Sequence, residues 1–220
     1  MNDDDVDVLV DVDVDDVDVD VGEIDVLIVF VVNVGDVDVV DGDRAAWDAM
    51  MAIAQREPFD QRAADELYAY LEVDAFCDYV LLNLYNANED WLLTNGNNVR
   101  VARRRVAGAP FHFFAWDSDS TVGSGWDNDD VEYEVLDFAF DDDDPASLFH
   151  RLCTHRAFRD RFAVRARLHL LGDGALTPAA GQRRYDALAA EVEDALLAES
   201  ARWGDTRRKR PYRVDREWSD

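Results

Sequence analysis

Residues 1–43 contain sixteen of the chain's 49 acidic residues and not one Lys or Arg. No other feature limits the fold as severely. The first 21 residues, "MNDDDVDVLVDVDVDDVDVDV", alternate Val and Asp with the period of a half-buried strand. The valines occupy even positions up to Val14 and odd positions from Val17, because Asp15 and Asp16 form a doublet. A slip of one residue exchanges the faces, so no single flat strand can use the whole run. Carboxylates at every second position also repel across any ladder the run could join. The segment 1–40 therefore reads as an acidic low-complexity tract without a core of its own. It is either a disordered tail or not an authentic reading frame. A repeated GTCGAC encodes Val-Asp in one frame and Arg-Arg in another, so a frameshift in GC-rich DNA produces this text.

The formal charge of the 220 residues is −27. Such a surface repels nucleic acid and anionic lipid, and neither is an expected partner. The apolar run Val26–Val32, "VLIVFVV", is too short to span a bilayer, and no basic n-region marks a signal peptide. The two cysteines, Cys77 and Cys153, sit in apolar helical patterns and read as buried thiols rather than a disulfide or metal pair.

From Asp43 onward the pattern is that of an ordinary globular chain, residues 41–220. Asp43 is placed to cap a helix with Ala46, Trp47, Met50, Met51 and Ala54 on one face. A second short helix, "DQRAADELYAYLE", precedes a third, "AFCDYVLLNLYNA", for which Asp74 is the expected cap. Two strand-like runs, "NVRVARR" and "PFHFFAW", follow, joined through "VAGA". Residues 117–147 are acidic and loop-rich apart from the strand-like "VEYEVLDFAF". The remainder is helical: "PASLFHRLCTHRAFRDRFAVRARLHLL", a Gly-containing turn, and a long helix opened by Thr177-Pro178 as N-cap and N1.

The stretch "NANEDWLLTNGNNVRV" carries the chemistry. A hairpin turn centred on Ala107-Gly108 pairs residues whose numbers add to 215, which sets Val106 against Ala109 and Asn98 against Asp117. Asp90 reaches the same end from the preceding helix. An acid, an amide and a second acid suit phosphoryl transfer, where one carboxylate orients a hydroxyl and the other two oxygens hold a hard metal ion. The order helix, Asp, Asn, hairpin, Asp is that of a protein kinase. Strict kinase spacing points to Asn95 as the amide, and the hairpin register points to Asn98, with Asn97 between them. Asp119 is a candidate second metal contact or a loop carboxylate bonded to nearby N–H groups. Arg103, Arg104 and Arg105 balance charge or meet an acidic substrate. His112, His150, His155 and His169 have no metal-ligand spacing. Arg202 and Trp203 are expected to stack and close the last helix onto the core.

"VDAFCDYVLLNLYNANEDW", "NNVRV", "FHFFAWDSDSTVG", "LFHRLCTHRAFRDRFAVRARLHL", "GALTP" and "AESARWGD", in this order from about residue 40, resemble the CotH kinase family, the spore-coat protein H type of atypical protein kinase. The resemblance implies an α+β, mostly helical, protein-kinase-like C-terminal lobe with a catalytic β-hairpin. It implies ATP and Mg²⁺ or Mn²⁺ as cofactors and transfer of the γ-phosphate to Ser or Thr of a protein substrate. Asp90 then matches the catalytic-loop acid, Asp117 the metal-binding acid, and Asn98, or else Asn95 or Asn97, the metal-binding amide. By family the compartment is the cytoplasm, or the cell surface or spore coat. The family's N-terminal lobe supplies a phosphate-covering loop, a Lys and its acidic partner, where this chain has the Val/Asp tract; its only Lys is Lys209. The N-terminal lobe is therefore expected to be truncated or aberrant. The competing expectation is an inactive, pseudokinase-like chain with a structural or assembly role of the spore-coat type.

Overall fold

A computed structural model describes residues 26–33, 36–41, 43–88, 99–118, 121, 147–203 and 213. The elements are β1 (Val26–Asn33), β2 (Asp36–Asp41), α1 (Ala45–Ala54), α2 (Gln61–Tyr68), α3 (Val73–Tyr85), β3 (Val99–Arg104), β4 (Phe111–Ala115), α4 (Ser147–Cys153), α5 (Arg156–Leu170) and α6 (Pro178–Trp203). The result is a mostly helical α+β fold. The Val/Asp run 1–21 and the strand-like run 131–140 lie outside the described residues.

The hairpin is not isolated. The strands form one antiparallel sheet in the order β2-β1-β3-β4, with β1 paired to β3 from Val26 opposite Arg104 to Val32 opposite Val99. The apolar run that is too short for a membrane thus becomes a sheet strand, and it joins part of the acidic segment 1–40 to the rest of the fold. Valine and phenylalanine suit this position because branched and aromatic side chains fit a pleated surface.

Alternation along β3 and β4 turns Val99, Val101, Phe111 and Phe113 to one face, where α1 and α3 cover them. The Trp47 ring meets Phe111 edge-on at 5.7 Å, and Phe113 packs against Phe76 at 5.0 Å and Tyr79 at 5.5 Å. Aromatic pairs at these separations add to what their burial contributes. Met50, Ile53, Leu67, Leu71, Val80, Leu148, Leu152 and Phe158 complete the core.

The caps of the first three helices are resolved locally. The carboxylate of Asp43 accepts the N–H of Ala45 at 2.9 Å, but the cap position itself falls on Arg44. Asp60 caps α2 through the N–H of Ala63. Asp74 does not cap α3: the cap is Glu72, and Asp74 lies in the first helical turn, paired with Arg161. The expected helix over residues 145–171 is broken between α4 and α5. There the hydroxyl of Thr154 donates to the carbonyl of Arg151 at 2.6 Å, and His155 adopts an extended backbone. A hydroxyl that competes for a helix carbonyl is a sound reason for the helix to stop.

Thr177 caps α6 as expected, accepting from the N–H of Ala180. Of α6 only Ala180 is buried. Arg202 does stack on Trp203, at 4.7 Å, but that ring is half exposed, so the pair decorates the surface and does not close the helix onto the core. Among the described residues no helix is long and apolar enough to cross a membrane.

Candidate active site

Helix α3 runs beside β4 in the same direction. At its start Leu71 bridges Phe111, whose N–H donates to the carbonyl of Tyr70 at 2.7 Å. Farther along, Phe76 and Tyr79 reach Phe113. The C-terminal ends of α3 and β4 therefore lie at the same end of the sheet. Strand β3 begins at that end too, because Val99 pairs with Ala115. The chain thus leaves α3 at Asn88, re-enters at Val99, and passes through Asp117, all at one end of the sheet. Asp90, Asn95, Asn97 and Asn98 fall in the span 89–98, outside the described residues, as does Asp119.

The hairpin register differs from the sequence expectation by one. Observed partners add to 214, from Arg103 opposite Phe111 to Val99 opposite Ala115. The turn itself is where it was expected: Ala109 donates to the carbonyl of Val106 at 3.1 Å, and Gly108 has φ +76. Between turn and ladder, Arg104 and Arg105 oppose the single residue Pro110. Pro110 has no N–H to offer the ladder, so pairing resumes only at Phe111. Arg103 ties the loop down by donating to the carbonyl of Ala109 at 2.6 Å. The slip takes Asp117 out of line with position 98. The register argument therefore no longer selects Asn98; a sum of 214 gives position 97, which lies outside the described residues.

Asp117 follows β4 after Trp116, is exposed, and has φ +47. A left-handed backbone ends the extended strand there. Asp tolerates this region better than most residues, since its short carboxylate can bond locally. Strained positions of this kind concentrate at functional sites. Beside it, the Arg100 guanidinium lies 5.0 Å over the Trp116 ring, and the buried Thr121 hydroxyl donates to the carbonyl of Ser118 at 2.7 Å. The loop that carries Asp117 is thus held on both sides.

Sequence reasoning overlooked the end of α3. Asn88 donates its backbone N–H to the carbonyl of Asn83 at 3.0 Å, and Ala87 donates to that of Leu84 at 3.2 Å. With Ala87 at φ +50, these two bonds form a Schellman motif. The side chains add a second layer. Asn88 Nδ2 donates to Asn83 Oδ1 at 2.8 Å, and Asn83 Nδ2 donates to the carbonyl of Tyr79 at 2.8 Å. Both amides are buried. The only sequence signal is the pair of asparagines five residues apart across a helix end.

Also overlooked was the clamp between α3 and α5. Asp74 receives both Arg161 nitrogens, at 2.5 and 2.8 Å. Asp78 is gripped by Arg165 and accepts from, or shares a proton with, His169 Nε2 at 3.0 Å. The signal was present: Asp74 and Asp78, and Arg161, Arg165 and His169, recur at helical spacing. His155 is likewise structural, its ring 5.0 Å from that of Phe59.

Among the described residues no group of three His, Cys, Asp or Glu side chains could hold a metal ion. Cys77 and Cys153 are free thiols, and burial pushes them up to about 12 and about 11. Neither can act as a ready thiolate ligand. The Asp117 carboxylate is a hard oxygen donor of the type Mg²⁺ and Mn²⁺ accept.

The sequence model for CotH kinase protein matches residues 35–219. This chain belongs to the CotH kinase family. No curated protein and no solved structure matches it. The CotH match begins inside the acidic segment, one residue before β2, and extends through every helix of the fold.

Proposed function

We propose that this CotH-family chain is an atypical protein kinase that transfers the γ-phosphate of ATP to a Ser or Thr hydroxyl of a protein substrate. The observation that carries this reading is that α3, β3 and β4 bring Asn88, Val99 and Asp117 to one end of the sheet, Asn88 and Val99 being the described residues on either side of the span that contains Asp90. Asp90 accepts the hydroxyl proton as the substrate oxygen bonds to the γ-phosphorus, and the bond from that phosphorus to the β-bridging oxygen breaks to release ADP. Asp117, with an amide from Asn98, Asn95 or Asn97, would hold Mg²⁺ or Mn²⁺. When bound, that ion neutralises charge on the phosphate oxygens.

A second reading is a chain that keeps the lobe as an assembly scaffold. The observation favouring it is that the sequence holds one Lys, Lys209, near its C-terminus. The two readings separate in a phosphotransfer assay with γ-labelled ATP, Mg²⁺ or Mn²⁺, and dephosphorylated casein. The kinase reading expects labelled casein from wild type and a loss on the order of 1000-fold in Asp117→Ala, since positioning and charge stabilisation are most of the catalysis. No labelling by wild type supports the scaffold, and full labelling by Asp117→Ala removes Asp117 from the site.

A further inference from the structure

The β3–β4 hairpin has a second face. Alternation sets Val99, Val101, Phe111 and Phe113 against α1 and α3, so Arg100, Arg104, His112 and Phe114 belong to the opposite side of the sheet. Arg100 stands directly across from Phe114, and its guanidinium lies 5.0 Å over the Trp116 ring, which brings Trp116 to the same side. Phe114 and Trp116 are each about half exposed, and Arg104 is exposed. Among the described residues Arg104 has no ion-pair partner. Arg103, on the core side, is engaged internally: it donates to the carbonyl of Ala109 and lies over the Phe111 ring at 5.5 Å. Two arginines and two large rings, partly in water, thus share the outward side of one hairpin.

Charge makes this side unlike the rest of the chain. Residues 99–116 contain four Arg and one His and no Asp or Glu, in a protein of formal charge −27. An anionic partner is repelled by the chain as a whole and attracted here, so the field orients the partner as well as holding it. Arg and aromatic side chains are enriched in protein–protein contacts, and rings grouped around one guanidinium mark such contacts better than rings scattered singly. We propose that Arg100, Arg104, His112, Phe114 and Trp116 form a docking surface for an acidic segment of a protein partner, with its carboxylates at the arginines and its apolar groups on the rings. A nucleic acid fits less well, because its phosphates continue past the hairpin and meet the negative charge of the rest of the chain. The docking rests on no catalytic step. Strand β4 continues from this face into Asp117, so under the kinase reading the docked segment belongs to the protein that is phosphorylated.

Fluorescence anisotropy tests the surface, with the full chain, no ATP and no metal. The probe is a labelled peptide of Glu-Phe-Gly repeats. The same peptide with Gln for Glu, and a labelled oligothymidylate, are the comparison ligands. Wild type should bind the Glu peptide, bind the Gln peptide at least about tenfold more weakly, and lose affinity as NaCl is raised. Arg104→Glu should weaken binding roughly 5- to 10-fold, because an attraction becomes a repulsion. Phe114→Ser should weaken it roughly 3- to 10-fold through the lost ring contact. Arg183→Glu, at an exposed position of α6, changes the net charge by the same amount as Arg104→Glu and should leave binding unchanged. Arg104→Gln separates lost charge from lost fold: its affinity should fall between wild type and Arg104→Glu at wild-type Tm. No binding by wild type, equal binding of the Glu and Gln peptides, preference for the oligothymidylate, or equal losses in Arg104→Glu and Arg183→Glu overturns the inference. Because binding is read without ATP, an inactive wild type in the phosphotransfer assay sinks the kinase reading and leaves the docking surface standing, and absent peptide binding does the reverse.

Discussion

Asp74 shows how a single side chain is set by its neighbour across the fold. The Arg161 guanidinium bonded to its carboxylate holds it below the ordinary value, outweighing the slight desolvation there. A depressed carboxyl contributes stability that is fully present above its unfolded value and is lost as pH falls through the folded one. Wild type should therefore lose stability on acidification below about pH 4. Asp74→Asn removes the titrating partner, so its urea midpoint should change less over the same pH range. Parallel curves for the two proteins would show that the pair contributes nothing to acid sensitivity. Nothing in residues 73–78 alone marks Asp74 as an ion-pair partner rather than a cap. The partner is 87 positions away, and only the packing of α5 on α3 brings the two together.

At the scale of elements, α3 ends on a strained residue. A non-glycine residue in the left-handed region costs on the order of 1 kcal/mol, and Ala87 is such a residue. Ala87→Gly should raise stability by about 0.5–1 kcal/mol, read as a higher urea midpoint at unchanged slope. A decrease would mean that the extra freedom of glycine in the unfolded chain outweighs the relieved strain. The helices were largely legible, because Trp47, Met50 and Ala54, or Phe76 and Val80, recur at helical spacing and are buried as that spacing implies. The hairpin was legible as far as its turn. The strand register was not, because one proline between turn and ladder decides it, and alternation alone fits either register until the core selects a face.

At the scale of the whole molecule, the sheet joins residues 26–41 to β3. If residues 1–40 were a tail independent of the lobe 41–220, removing residues 1–34 would leave stability unchanged. The β1–β3 ladder predicts otherwise. Deleting β1 frees the paired groups of β3 from Val99 to Arg104. The cost should be at least about 2 kcal/mol, at roughly 1 kcal/mol or less net for each hydrogen bond lost. Urea midpoints of the full and shortened chains measure it, and equal midpoints would restore the independent tail. α6 marks the opposite extreme. Tyr185, Leu188 and Trp203 are at least half exposed on it, so its pattern alone does not show what it packs against.

The amino-acid sequence by itself determined the helical periodicity, the turn at Gly108, the family, and the order of Asp90, the asparagines and Asp117. These are local or collinear properties that can be read along the chain. Only the tertiary structure decided that Asp74 pairs with Arg161, that the hairpin register is offset by one, that "VLIVFVV" is a strand beside β3, and that two buried asparagines lock the exit of α3. Each depends on contacts between segments far apart in the chain. There the energy of packing and of satisfying buried polar groups outweighs what any short stretch prefers alone.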